Sequence, residues 1–404
     1  MNIPALTGVR GFAAGWVLLY HAWLVVGAHD LSLHVIGIPL VLTPVVSMGW
    51  FGVDVFFVLS GFVLTWQVLK DGPTPERPAQ SSFGSRYWQF LRRRILRVFP
   101  AYYACLSVLL PLEYFHRYGA PPELRDVALH LVMFHNMIDS YLQTINGVFW
   151  SLPFEFQFYL VFPLLALMLQ GRTALLLLLG IGITAAAKIV ILIGGPHGAT
   201  RLLLNQLPFR LDEFVVGMVA AKISHDRPMA AWKRSALFWI GGLSLLAAAQ
   251  YYGRAHAMWW AWDAQPLVRG LWVEAAVAAM LIGLSGEGNL GTRLFGNRAM
   301  VWIGTISYSI YLWHFPILQV MATRMADFGV PISFRAVLAA GVPAVLLISA
   351  LSYYVVERPF HASAAGKRQD APTRGAWQIS NTAKLTAWGC ALLALAGTVS
   401  AMAG

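Results

Sequence analysis

The chain has 404 residues, of which 58% are hydrophobic and only 12% charged. Soluble domains carry about a quarter charged residues, so the composition excludes an ordinary water-soluble enzyme. Lys and Arg number 29 against 18 Asp and Glu, but with no soluble face to carry them they do not read as a nucleic-acid surface. Cys105 and Cys390 both fall in apolar stretches and supply neither a disulfide framework nor metal-ligand spacing.

In chain order, apolar runs near the 20-residue length needed to cross hydrocarbon predict helices at 8–28, 49–69, 99–115, 148–169, 173–194, 207–224, 235–252, 266–285, 301–322, 334–356 and 384–403. The expected fold is therefore all-α, a polytopic transmembrane bundle of about 10–11 spans. Segment 124–138 is shorter and reads as an interfacial or re-entrant helix. The first run reads as a retained span: Arg10 alone makes a poor basic n-region for a signal peptide, and His21 interrupts the apolar core. Residues 1–360 form the expected transmembrane domain, 361–383 a cytoplasmic linker rich in Ala, Gly, Pro and basic residues, and 384–404 an additional C-terminal helix. No inverted repeat of the transporter kind is visible.

The basic residues orient these spans. With the N-terminus in the cytoplasm, segments 70–98, 170–173, 222–234, 286–300 and 357–384 hold 19 Lys and Arg, whereas the opposite connections hold 7. That bias satisfies the positive-inside rule.

An ionisable group at mid-membrane costs on the order of 3 kcal/mol on the insertion scale, so each one asks for a reason. Arg10 and His21 are eleven residues apart, which on a helix returns to within about 20° of the starting direction and spans about 16 Å. Arg10 then sits near the cytoplasmic rim and His21 deeper, where an imidazole can take a proton from a hydroxyl. The same spacing suits a packing histidine above an interfacial anchor. The run Arg92-Arg93-Arg94-Ile95-Leu96-Arg97-Val98-Phe99-Pro100 offers guanidinium forks for phosphate oxygens, with Pro100 placed to open the next span. Basic runs beside a span also serve orientation and anionic headgroups.

Two intramembrane carboxylates, Asp54 and Glu155, are each placed to orient His21 as the acid of a triad does, or else to pair with Arg210 structurally. Ser60, beside Gly61, reads as a small residue for close helix packing. Tyr308, Tyr311 and His314, three apart, form one inward polar stripe, and Trp150 precedes the span that carries Glu155. Lys188 is free to snorkel outward; Glu274 has no account from the sequence.

These pieces, in this order, resemble the acyltransferase-3 family of membrane O-acyltransferases, from about Ala5 to Pro359. The matching motifs are Arg10 with His21, Phe56–Phe62 (Phe-Phe-Val-Leu-Ser-Gly-Phe), and Arg93-Arg94 through Arg97 to Pro100. Trp150-Ser151-Leu152 with Glu155 and Phe158-Tyr159 follows, then Arg210 with Glu213, Phe214 and Gly217, then Ser307-Tyr308 with Tyr311-Leu312 and His314, and finally Glu357-Arg358-Pro359. The resemblance implies transfer of an acyl group, commonly acetyl, from acyl-coenzyme A to hydroxyls of bacterial surface or exported polysaccharides, with the protein multi-pass in the bacterial cytoplasmic (inner) membrane.

Residue reading and resemblance together point to His21, Arg10, Glu155 and Asp54 as catalytic residues and Arg93, Arg94 and Arg97 as donor-binding. Tyr308, Tyr311, His314 and Trp150 become substrate-binding, and no metal is called for. The expected partners are the lipid bilayer and a glycan or lipid-linked glycan acceptor; the bundle either works alone, works with a separate periplasmic acyl-transfer partner, or is the front part of a longer chain. Some members of the family continue into an extracytoplasmic esterase-like domain; here the eleventh run ends at Gly404. A multi-span exporter of a polar metabolite is the alternative reading, since intramembrane charges are typical there too.

Overall fold

The structure, a computed structural model, describes residues 3–35, 38–71, 82–112, 123–194, 203–254 and 265–360. The predicted linker 361–383 and the predicted helix 384–403 lie outside these.

Each of the other ten predicted spans contains a helix. In chain order, α1 is Pro4–Val25; a hairpin of β1 (Ser32–Val35) and β2 (Ile38–Val41) follows, then the short α2 (Thr43–Ser47), α3 (Phe51–Asp71) and α4 (Phe83–Leu112). Next come α5 (Leu124–Leu131), α6 (Leu152–Leu167), α7 (Thr173–Gly194), α8 (Leu211–Asp226), α9 (Ala231–Arg254) and α10 (Gln265–Leu284). The chain ends, as described, in α11 (Leu290–Gly296), α12 (Arg298–Thr305), α13 (Ser307–Asp327) and α14 (Phe334–Ser352). Among the described residues, Phe51–Lys70, Phe83–Leu112, Phe149–Leu167, Thr173–Gly194 and Phe334–Phe360 are long and apolar enough to cross a membrane unaided. The other long helices carry polar groups on faces that neighbours bury, such as Asp212 and Glu213 on α8, Glu274 on α10 and His314 on α13. The chain is an all-α polytopic membrane protein.

Without a hydrophobic drive between helices in lipid, close approach of small residues supplies the packing. The seam between α3 and α8 shows it from both sides. A Cβ on Gly217 would stand 1.9 Å from the carbonyl oxygen of Val58, and one on Gly61 2.0 Å from that of Phe214. The two backbones are in contact at both glycines, so the packing role expected of Ser60 belongs to Gly61. Beside this seam, Phe214 stacks on Phe57 (centroids 4.7 Å apart) and on Phe158 (4.1 Å), tying α6 to the pair.

Three local expectations change, and the one for segment 124–138 holds. Helix α4 begins at Phe83, so Pro100 lies inside it rather than at its start; a proline in mid-helix forfeits its own i→i−4 bond and crowds the carbonyl of residue i−4. At about 45 Å by helical rise, α4 outreaches the hydrocarbon, and its basic first half accounts for the excess. The predicted span 301–322 is broken at Ile306, where the backbone leaves helical geometry (φ −94°, ψ 7°) between α12 and α13. The segment 124–138 is an eight-residue helix followed by 3-10 turns, too short to cross. Lys188 does not snorkel outward: it is buried, and its Nζ lies 3.4 Å from Asp212 Oδ2.

Candidate functional site

Helices α1, α3, α4, α6 and α13 surround a cavity holding about 770 Å³ of atom-free space, its open mouth included. Arg10, Arg94 and Arg97 line one part of it together with Glu155, Tyr159 and Ser60; Phe56, Phe57, Ser151, Tyr308 and Tyr311 line the rest. Helical geometry explains the cluster. Arg94 and Arg97 are three apart on α4 and share a face, which α4 turns toward the face of α1 that carries Arg10.

The charges in this cavity do not balance. Glu155 is its one lining carboxylate, and it accepts hydrogen bonds from Ser60 Oγ at 2.9 Å and from the Tyr159 hydroxyl. Arg94 is buried over the rings of Phe90 (5.5 Å) and Tyr159 (6.0 Å) and donates to Gln67 Oε1 at 3.1 Å, while its Nε has no partner. Neither Arg10 nor Arg97 makes a hydrogen bond or ion pair with any described residue. Three guanidinium groups against one carboxylate leave a surplus of positive charge and free N–H donors facing an enclosed space. Such an arrangement suits an anion with several oxygens.

The second cluster lies beyond the cavity on the same helices. Arg10 and His21 share the unbroken α1, so the sequence spacing of about 16 Å holds. His21 is partly exposed and is not among the residues lining the cavity. Its ring meets that of His314 on α13, centroids 4.8 Å apart, and that of Phe315 at the same distance. His21 Nδ1 lies 3.0 Å from the carbonyl oxygen of Val17 and 3.0 Å from His314 Nε2. His314 is fully buried, with Nδ1 2.9 Å from the carbonyl oxygens of both Ile310 and Tyr311. Tyr311, one turn before His314, connects the two clusters: its hydroxyl faces the cavity, donates to the Val148 carbonyl at 2.7 Å and lies 2.5 Å from Ser151 Oγ.

The other predicted residues separate. Asp54 does not reach His21. It is buried and accepts from Arg210 Nη1 at 2.8 Å, the same nitrogen that donates to Glu213 Oε1 at 2.8 Å. Glu155 does not reach His21 either; it belongs to the cavity, so among the described residues neither predicted carboxylate stands where a triad acid would. Trp150 packs against Arg210, whose guanidinium carbon is 5.2 Å from the Trp150 ring, and takes no part in lining the cavity. Arg93 is exposed on α4, about 100° around the helix from Arg94, and so is outside the cavity. Tyr308 and Tyr311 both line it, with Tyr308 donating to the Val98 carbonyl at 3.1 Å. His314 contacts His21 rather than the cavity.

Glu274 now has a setting. Its carboxylate oxygens lie within 4.8 Å of those of Asp212 and Glu213, all three residues buried, next to Lys188 and Arg210. These carboxylates are the described grouping most able to hold a hard cation, but Lys188 and Arg210 already supply two positive charges there, and the set is separate from the arginine-lined cavity.

The sequence reading missed a buried polar network between α5 and α6. His130 Nδ1 lies 2.9 Å from Asp126 Oδ1, the His130 ring stacks on His135 at 4.0 Å, and Asn136 and Gln157 bond to the Asn205–Leu207 segment. Burial lowers the His135 imidazole to about 3, so it is held neutral. Asn146, next to Ile145 at a left-handed φ of 65°, donates to the Leu312 carbonyl at 3.0 Å and braces α13 two residues before His314. Asp126 and His130 at i,i+4 were the available signal, masked because polar residues in an outer connection look solvated.

Residues 3–354 match the model of the acyltransferase domain of the acyltransferase-3 type. The peptidoglycan O-acetyltransferase OatA of Listeria monocytogenes is 27% identical over 383 residues, covering 88% of this chain and 55% of that protein. A putative peptidoglycan O-acetyltransferase of Bacillus subtilis, YrhL, is 25% identical over 388 residues, covering 88% of this chain and 54% of its own length. A putative acetyltransferase of Acidianus two-tailed virus is 26% identical over 336 residues, covering 82% and 88%. The chain thus spans little more than half the length of the two bacterial relatives. No solved structure matches it. With a family match over residues 3–354 on a bundle that brings the first-span arginine to a basic cavity and the first-span histidine to a partner beyond it, the chain belongs to the acyltransferase-3 family.

Proposed function

We propose that this chain is a membrane O-acyltransferase that moves an acyl group, acetyl by analogy with its relatives, from acyl-coenzyme A to a hydroxyl of a cell-surface or exported glycan. The observation that carries the donor assignment is the unbalanced cavity, where Arg10 and Arg97 have no hydrogen-bond or ion-pair partner among the described residues. Coenzyme A presents phosphate oxygens to such a cluster, and its pantetheine arm is long and thin enough to follow α1 from Arg10 toward His21. The names of the bacterial relatives support a glycan acceptor, and the basic-residue bias supports a cytoplasmic mouth for the cavity.

In this reading the acceptor approaches the partly exposed side of His21 from the outer face. His21 Nε2 takes the hydroxyl proton as the oxygen bonds to the thioester carbon; the C–S bond then breaks, and the imidazolium returns the proton to the departing thiolate. Arg10 holds donor phosphate, and Tyr308 and Tyr311 wall the passage. The test is mass spectrometry of surface glycans from cells expressing the wild-type chain or His21→Ala at equal membrane levels. Loss of the added acyl mass in the variant supports the reading, and an unchanged acylation pattern refutes it.

A further inference from the structure

We propose that His314 is a positioning residue that holds His21 in the tautomer with its proton on Nδ1 and a bare Nε2. The inference rests on the reading of His21 as the base and deepens it.

The argument is a count of protons. A carbonyl oxygen only accepts. His314 Nδ1 lies 2.9 Å from the carbonyl oxygens of Ile310 and Tyr311, so that nitrogen carries a proton. The neutral ring then has a bare Nε2, and this is the atom 3.0 Å from His21 Nδ1. His21 Nδ1 is independently 3.0 Å from the Val17 carbonyl oxygen, so it too carries a proton, shared between two acceptors. Every hydrogen-bonding atom of the pair is satisfied by one arrangement, and in that arrangement the single remaining lone pair is His21 Nε2.

The opposite tautomer fails at the same contacts. With its proton on Nε2, His21 would turn a bare Nδ1 toward the bare Nε2 of His314 and the oxygen of Val17, three acceptors converging with no hydrogen among them. His314 is fully buried, so no water relieves that clash. Free histidine in water favours the Nε2-protonated form, in which Nε2 cannot accept a proton from a substrate. Two helices therefore cooperate to hold the form that solution disfavours: α1 through the Val17 carbonyl, α13 through His314. The role is the one a buried acid plays in a triad, filled here by a neutral imidazole.

The test uses the full chain in lipid vesicles, labelled with ¹⁵N-histidine, with His21→Ala to assign the His21 signals by difference. In the wild type, solid-state ¹⁵N spectra should show His21 Nδ1 protonated and Nε2 bare. His314→Leu should shift His21 toward the Nε2-protonated form and lower kcat for acetyl transfer from acetyl-coenzyme A about 10- to 100-fold, the usual loss when the group orienting a functional histidine is removed. The KM for acetyl-coenzyme A should stay within about twofold, since His314 does not line the donor cavity. His314→Gln, whose amide oxygen can take the place of Nε2 as acceptor, should recover most of the loss. A wild-type spectrum with the proton on His21 Nε2, or wild-type kcat in His314→Leu, overturns the proposal. Should His314→Leu fail to accumulate, the wild-type spectrum and the Gln variant still decide. Full activity in His21→Ala would instead defeat the base assignment while leaving the tautomer measurement intact.

Discussion

Two arginines of this bundle look alike in the sequence and differ sharply in their surroundings, and exchanging each for glutamine should separate them. Arg210 donates at 2.8 Å to both Asp54 and Glu213 and is buried with them. Arg210→Gln strands two buried carboxylates, and breaking a buried pair in this way costs about 3–5 kcal/mol. Arg97 makes no hydrogen bond or ion pair with any described residue and lines the cavity beside Arg94 and with Arg10. Arg97→Gln removes like-charge repulsion and no protein bond, so the fold should hold or gain. On the proposed donor site, however, a phosphate loses one charge-assisted hydrogen bond, worth about 1.5–3 kcal/mol, which is roughly a 10- to 150-fold rise in KM for acetyl-coenzyme A. The assay pairs thermal unfolding in detergent, read by size-exclusion fluorescence, with donor kinetics in membrane vesicles. A clear drop in unfolding temperature for Arg97→Gln, or a donor KM unmoved from wild type, would refute the division into a self-neutralised and an unneutralised set.

Further outcomes follow from the packing and the buried network. Gly217→Ala should destabilise by about 1–3 kcal/mol or more, as overpacking does, because its Cβ would meet the Val58 carbonyl oxygen at 1.9 Å; Gly182→Ala on α7, with nothing within 4 Å, is the matched control and should be neutral. Trp150→Phe should leave donor KM within about twofold, a bound on measurement rather than on energy, since Trp150 rests on Arg210 and not on the cavity; a large KM change would return it to the substrate site. His135, held neutral with its imidazole lowered to about 3, binds fewer protons folded than unfolded below the usual histidine value. Stability should therefore be intact at pH 7 and fall as pH drops from about 6.5 toward 3, by about 2 kcal/mol at pH 5 from this group. His135→Gln should flatten that acid limb in detergent unfolding; an unchanged slope would show that His135 is not its source.

The helices were legible because hydrocarbon thickness imposes a length that hydropathy reports directly, and positions such as Pro100 and Ile306 moved only boundaries. The Arg10–His21 spacing was legible too, because both lie on one unbroken helix. What the sequence could not show is which partner each polar side chain meets across helices. Asp54 and Glu155 were equivalent candidates to orient His21, and the structure gives one to Arg210 and the other to Ser60 and Tyr159. Arg93 and Arg94 differ by a single residue, yet that step of about 100° separates exposure from the cavity. Periodicity assigns faces within a helix; it carries no information on rotation against a neighbour.

That limit bears directly on the histidines. His21 and His314 lie 293 residues apart, and no spacing relates them, so the sequence reads one as a base and the other as a substrate ligand. Their contact changes what each can be. A histidine with all its hydrogen-bonding atoms committed to backbone and to another ring is a poor substrate ligand, whereas one nitrogen left bare on its neighbour is what proton abstraction requires. The structural demand of burying polar rings in a bilayer, that each donor find an acceptor, here leaves one lone pair over, and it falls on the more exposed ring. Satisfying the hydrogen bonds of the pair and preparing a base are, at this position, the same arrangement of protons.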